Sequence, residues 1–332
     1  MKSKQLSTHK PGLAQSVRFF VQKSPARMAF IIAAALYVVT IIISPTSLNQ
    51  SAIGSIIMLT LLLSFASAGQ TIVLIGGGMD FGVGAVMSSA AILTTTIMNQ
   101  QDGHFLEVLL AALAMGAAVG LLNGVCTVKI GLPAMIVTMA ISNVVTRMQY
   151  VLTQGSPMGY ASPAFIKSVT SRLLGLQFLP SITLYALIVF PLMFFLLNRS
   201  RFGKQVYLVG NNPVAARLNG VNVHRVQILT YVFSGMLAAF AGMLGAAYMN
   251  AARCQIFDEY AYNSLIAVII GGTAFSGGVG TYTGSIAGSL VMVVLSNALT
   301  TMGLAQPMRN IFMGAIMILL LTLYNREKSV RQ

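Results

Sequence analysis

Apolar and polar positions alternate along this chain on the scale of whole helices rather than of single residues. Apolar runs of about 20 residues, enough to cross about 30 Å of hydrocarbon at about 1.5 Å per residue, recur from end to end. Met28–Ser44 is the first and stops at Pro45; Ser51–Ala68 is the second. Gln70–Met98 follows, too long for one crossing and interrupted by Gly76-Gly77-Gly78-Met79-Asp80-Phe81-Gly82-Val83-Gly84. Leu106–Val128 and Ala134–Leu152 come next, divided by Lys129–Pro133. After a polar stretch ending at Pro180 stand Ser181–Asn198, Gln227–Asn250, a glycine-broken region Asn263–Tyr282, Thr283–Thr301 and Pro307–Tyr324. The pattern predicts an all-α polytopic membrane protein of about ten transmembrane helices, two of them glycine-broken, in two pseudo-repeated halves. It divides the chain into a basic N-terminus (1–27), a transmembrane domain (28–324) and a short tail (325–332).

Composition supports that reading. Charged residues make up only 8% of the 332, against about a quarter in a soluble domain, and 56% are hydrophobic. Mean hydropathy is +0.80. The net charge of +14 could mean nucleic acid, but a nucleic-acid binder gathers its cations on a water-facing domain, and here they flank apolar runs. With the N-terminus inside, fifteen of the 20 basic residues fall on the inner side, which places both termini and the Arg199–Val226 loop in the cytoplasm. Cys126 and Cys254 are solitary, and the histidines make no cluster, so neither a disulfide framework nor a metal site is expected.

The loop 199–226 carries an unexpected piece of local grammar. Asn212 suits an N-cap, Pro213 the first helical position, and Gly220 the left-handed residue that ends a helix. Between them Val214, Ala215, Ala216, Arg217 and Leu218 make two turns, with Val214 and Leu218 on one face. Such a helix fits docking to a soluble partner or lying on the headgroups. On the other side, in the external loop 154–180, Ser162-Pro163 could open a helix ended by Gly175, with Phe165, Ile166, Val169 and Leu173 as its stripe. It reads as a cap over the outer mouth or as an amphipathic connector.

Ile75–Gly84 has an echo in Ile270-Gly271-Gly272-Thr273-Ala274-Phe275-Ser276-Gly277-Gly278-Val279-Gly280. Paired glycine interruptions are the trace of repeats whose broken helices meet at a transport pathway. Asp80 is the acid that looks deepest; it is either a proton or cation relay, or an N-cap for the helix opening at Phe81. No GxxxxGK(S/T) phosphate loop and no nucleophile–base pair appear, so neither ATP binding of that kind nor catalysis is expected of this chain.

Several of these stretches together resemble a known family, the integral-membrane permease subunit of bacterial ABC importers of the ribose, xylose, arabinose and galactose type. Gly77–Gly84 is similar to its GG-I/M-D-L/I-S-V-G, with Gly82 where serine is usual. Gly120-Leu121-Leu122-Asn123-Gly124, followed by Pro133 and Thr138, resembles its G-x-x-N-G run. Arg201-Phe202-Gly203 through Val223 resembles its loop, with Asn211 in place of a glycine. Ile270–Thr281 is similar to I-G-G-T-x-x-S-G-G-x-G-T, and Gly314 with the basic tail follows the usual ending. Upstream, Asn263 stands where the family has an acid.

The resemblance implies that Asn212–Gly220 is a coupling helix fitting a cytoplasmic ATP-binding subunit, which uses ATP and magnesium while this chain binds no cofactor. It also implies a second permease subunit, identical or paralogous, and a periplasmic sugar-binding protein at the outer face. The expected function is sugar import across the bacterial inner membrane. Asn123, Thr138, Ser142, Asn143, Asn263, Phe81 and Tyr262 are candidate pathway liners, because hydroxylated cargo wants amides, hydroxyls and aromatic faces. Two alternatives remain open: an ion-coupled secondary transporter working through Asp80, and a permease of the same superfamily for a furanosyl quorum signal, a nucleoside or branched-chain amino acids.

Overall fold

The computed structural model describes residues 25–176, 178–315 and 318. These residues form an all-helical bundle. In chain order the helices are α1 (Pro25–Ile43), α2 (Gln50–Ile75), α3 (Val83–Met98), α4 (Phe105–Val128), α5 (Ala134–Thr153) and α6 (Pro163–Thr170). They continue with α7 (Ile182–Asn198), α8 (Arg201–Asn211), α9 (Pro213–Leu218), α10 (Val223–Met249), α11 (Tyr260–Ile270) and α12 (Tyr282–Thr301). Residues 306–315 are helical as well.

The helices sort into an inner and an outer set. In α2, α10 and α12, 67%, 61% and 61% of the most apolar window is buried, whereas α1, α4 and α5 bury only 17%, 22% and 22%. Leu121, Leu122, Ile136, Val144, Val151 and Leu152 stand exposed on α4 and α5. An apolar side chain facing outward costs nothing in hydrocarbon, so the outer set is built for lipid or for another membrane subunit. Where inner and outer helices meet, small residues let the backbones close up. A methyl group on Gly116 of α4 would run into the carbonyl of Gly235 on α10, and one on Gly288 of α12 into that of Ala267 on α11.

Several expectations change. Six described helices are long and apolar enough to span, or seven if the pair α7–α8, bent by 60°, counts as one, so the expected count of about ten is not confirmed among the described residues. Ser51–Ala68 and the start of Gln70–Met98 are one helix, α2, because nothing at Gly69-Gln70 ends it; Gly69 lies tight against Ser234 instead. α3 and α11 are apolar but short. α10 begins at Val223 rather than Gln227, because Asn222 accepts a hydrogen bond from the backbone N–H of Arg225 at 3.0 Å. The loop 199–226 therefore carries two helices and the start of a third. The external helix ends at Thr170, not Gly175: Ser171 turns away to pair with Ser181, its carbonyl accepting from the Ser181 N–H at 2.8 Å. Phe165 and Val169 of α6 are buried against the bundle. The basic segment before Pro25, most of the last predicted span and the tail 325–332 lie outside the described residues.

Candidate functional site

The site is assembled at the end of the bundle where α9 sits. Asn212 is in extended conformation, and its Oδ1 accepts from the backbone N–H groups of Val214 and Ala215, both at 3.0 Å. Pro213 needs no partner for a missing N–H at the first position. Gly220 takes φ +77°, and the Val221 N–H closes back on the Ala216 carbonyl at 3.1 Å. Ala216 is buried, while Val214 and Leu218 are 70% and 84% exposed beside the exposed Arg217. α9 thus shows two apolar side chains that none of the described residues covers.

α8 ties α9 to both glycine-rich turns. Gly210 lies in its last turn, where any Cβ would collide with the carbonyl of Ile75 and approach the amide of Gly278. That amide donates to the Ile75 carbonyl at 2.8 Å, so the end of α2 and the turn before α12 are joined directly. A Cβ on Gly277 would come within 3.0 Å of the Gly77 Cα, and both residues have positive φ, +83° and +82°. Only glycine satisfies both conditions at once. One turn earlier, the Tyr207 hydroxyl donates to the Gly280 carbonyl at 2.8 Å. Gly271 packs on Gly284, Gly272 against Pro25, and Ser276 is exposed at the tip of its turn. Gly78 lies under the ring of Tyr231.

Deeper in the bundle, Asp80 is buried and fully engaged. Its Oδ1 accepts from the Gly82 N–H at 2.8 Å and, at 3.4 Å, from the Asn123 amide on α4. Its Oδ2 accepts from the Ser234 hydroxyl on α10 at 2.8 Å. Phe81 is held on the other side, its N–H donating to Thr138 Oγ1 of α5 at 3.1 Å and its ring meeting that of Tyr262 at 5.6 Å. The carboxylate thus ties the turn before α3 to two helices remote in sequence. Asn143 does not join this cluster; it is exposed on α5, with its amide turned back to the Met139 carbonyl at 3.0 Å. Asn263 is half-buried on α11. Sequence reasoning did not find Ser234, Tyr207 or Gly210 as members of the site. In the sequence Ser234, Ala238 and Gly242 are small residues four apart, a pattern that close helix packing alone explains, and a long-range acceptor leaves no local pattern.

A helical bundle with an outward apolar surface and buried polar ties has the architecture of a multi-pass membrane protein. Residues 52–321 match the model of the branched-chain amino acid transport system permease component family, and the chain belongs to that family. It is 31% identical over 301 residues to the ribose import permease protein of Escherichia coli, covering 89% of this chain and 92% of that one. It is 31% identical over 290 residues to the galactose/methyl galactoside import permease protein of Haemophilus influenzae, covering 83% and 86%. The ribose import permease protein of Bacillus subtilis is 29% identical over 301 residues, covering 89% and 91%. No solved structure gives a significant match.

Proposed function

We propose that this chain is the transmembrane subunit of an ATP-driven importer that carries a pentose or hexose from periplasm to cytoplasm across the bacterial inner membrane. Support for sugar as cargo comes from the names of the relatives, import permeases for ribose and for galactose. In this reading α9 is the coupling helix, received by a cytoplasmic ATP-binding subunit that hydrolyses ATP with magnesium. This chain itself binds no cofactor and catalyses nothing. A second permease subunit, a copy or a paralogue, covers part of the outward apolar face, and a periplasmic sugar-binding protein delivers cargo. The cytoplasmic placement of α9 and both termini rests on the excess of basic residues there.

The observation that carries the proposal is the construction of α9. It exposes Val214 and Leu218 while Gly210, just before it, is wedged between the two glycine turns. A pull on α9 is therefore delivered to α2 and α12 together. Asn143, exposed on α5 one turn before the exposed Arg147, is assigned to the pathway, with Asn263 and the Phe81–Tyr262 pair at its wall. The test is co-purification of the ATP-binding subunit encoded with this chain, from cells expressing the wild type or Val214→Asp/Leu218→Asp. The wild type should retain the ATPase and the double variant should lose it while remaining in the membrane. Solute uptake by vesicles holding this chain alone would overturn the proposal.

A further inference from the structure

Between α6 and α7 the chain closes on itself as a small hairpin. Arg172 and Pro180 face each other in antiparallel register, the Leu173 N–H donates to the Leu179 carbonyl at 2.8 Å, and the Ser171 and Ser181 hydroxyls meet at 2.6 Å. Arg172 and Pro180 line one recess with Ser51 and Ser55 at the start of α2, whereas α9 follows Gly210 at the end of α2, so the hairpin stands at the other end of the bundle from α9. Its turn holds Leu174 at φ +54° and Gly175 at φ +73°. Glycine takes that conformation freely, but a bulky side chain does so rarely. Leu174 is also 86% exposed, and Leu176 and Phe178 of the same hairpin are exposed with it. In water such a tip is unfavourable twice over, in backbone conformation and in bare apolar surface. Arg172 at its base and Lys167 in the last turn of α6 are exposed and make no ion pair among the described residues.

We infer that this hairpin is a lipid anchor, its tip lying in the headgroup and upper acyl region of the leaflet at that end. The helix it leads into identifies the occupant. α7 turns Leu184, Leu187, Ile188, Leu192 and Phe195 outward, opposite a buried stripe, as a helix with one face to lipid does. Its 17 residues reach about 26 Å, short of about 30 Å of hydrocarbon. The outward stripe begins in the first turn of α7, directly after the hairpin, so Leu174, Leu176 and Phe178 continue it and supply the missing apolar height. Arg172 and Lys167 then stand where a cation meets headgroup phosphates. A soluble partner that came and went would leave the leucine tip in water between visits, whereas lipid covers it throughout.

The chain contains no tryptophan, so Phe178→Trp gives it a single indole reporter. The full chain carrying it is placed in nanodiscs of phosphatidylcholine brominated either near the headgroup or near the end of the acyl chain. Emission should fall by at least about half with the shallow bromines and much less with the deep ones, as for a side chain about 5–10 Å into the interface. Aqueous iodide should quench it little. Leu176→Trp serves in place of Phe178→Trp if the latter loses the fold. Adding Leu174→Asp should lift the tip out of lipid, cutting the shallow quenching by about half and opening the indole to iodide. Iodide quenching without bromine quenching would mean a tip standing in water, open to a soluble partner. Quenching by neither would mean that protein, such as a second copy of the chain, covers it. Either result overturns the inference, as does bromine quenching indifferent to Leu174→Asp. The readout needs no ATPase and no cargo, so its failure leaves the proposed function standing.

Discussion

The Ser234 hydroxyl donates to Asp80 Oδ2 at 2.8 Å across 154 residues of sequence. This contact fixes the turn between α2 and α3 to α10, about 16 Å along that helix from its start at 1.5 Å per residue. A carboxylate at such depth is costly unless its acceptor sites are filled, and here the backbone of Gly82, Ser234 and Asn123 fill them. The arrangement is that of a clamp rather than the expected helix cap: α3 opens at Val83, not Phe81, and Gly82 stands at its N-cap with no side-chain cap bond.

Removing the carboxylate should therefore cost stability first. Asp80→Ala leaves the Ser234 hydroxyl and the Gly82 N–H without their acceptor, and a loss of about 2–4 kcal/mol is expected. Ser234→Ala should cost less. The double variant should fall short of the sum, because both changes break the same contact. Thermal unfolding of the purified chain in one detergent checks all three. Additive losses would mean that the two side chains act separately.

Gly210→Val should separate stability from coupling. The added atoms meet the carbonyl of Ile75 and the amide of Gly278, both backbone groups that have no rotamer to change. Overpacking of this kind costs about 1–3 kcal/mol, and the strain falls where α8 leads into α9. The expected phenotype is an assembled complex with uptake reduced at least about tenfold, since about 1.4 kcal/mol at the transmitting contact is enough for that factor. Uptake of radiolabelled sugar, alongside a pull-down of the ATPase, reads both quantities.

The cap of α9 makes a graded prediction. Asn212→Ala removes the acceptor of two N–H groups, at a cost of about 1 kcal/mol for a helix of six residues that has little else to hold it. Association with the ATPase should weaken by about fivefold rather than vanish. Asn212→Asp, which keeps an acceptor, should bind within about twofold of the wild type. Titration of the purified ATPase onto immobilised complex distinguishes the three.

Asn143 tests the pathway. Its amide bonds only within its own helix, to the Met139 carbonyl, so Asn143→Ala should leave thermal stability within about 0.5 kcal/mol of the wild type. If the side chain touches cargo, maximal uptake should fall several-fold with ATPase binding intact. An unchanged uptake rate would remove Asn143 from the pathway.

Much of this architecture was legible in the chain because lipid imposes a simple rule. Every apolar run of about 20 residues must be a helix, and runs such as Leu106–Val128 and Ala134–Leu152 match α4 and α5 to within a residue. The short helix α9 was legible because its capping residues act locally, within Asn212–Gly220. What failed was whatever depended on a neighbour. Gly69 looks like a place for α2 to end, yet it is a contact with Ser234. The folded course of Arg201–Asn211 was missed because α8 is not apolar enough to read as a span; it is defined by the Ser200 cap and by Gly203 packed on the end of α7. The meeting of Gly77 with Gly277 could be suspected from their echoing sequences, but only the folded chain brings them to van der Waals distance.

That meeting restricts how the molecule can move. With no side chain between Gly77 and Gly277, and the Gly278 N–H bonded to the Ile75 carbonyl beside them, the end of α2 and the turn before α12 have no slack here. If α9 is drawn on as proposed, α2 and the turn before α12 move like oxen under one yoke, and any widening shows itself at the far ends of their helices.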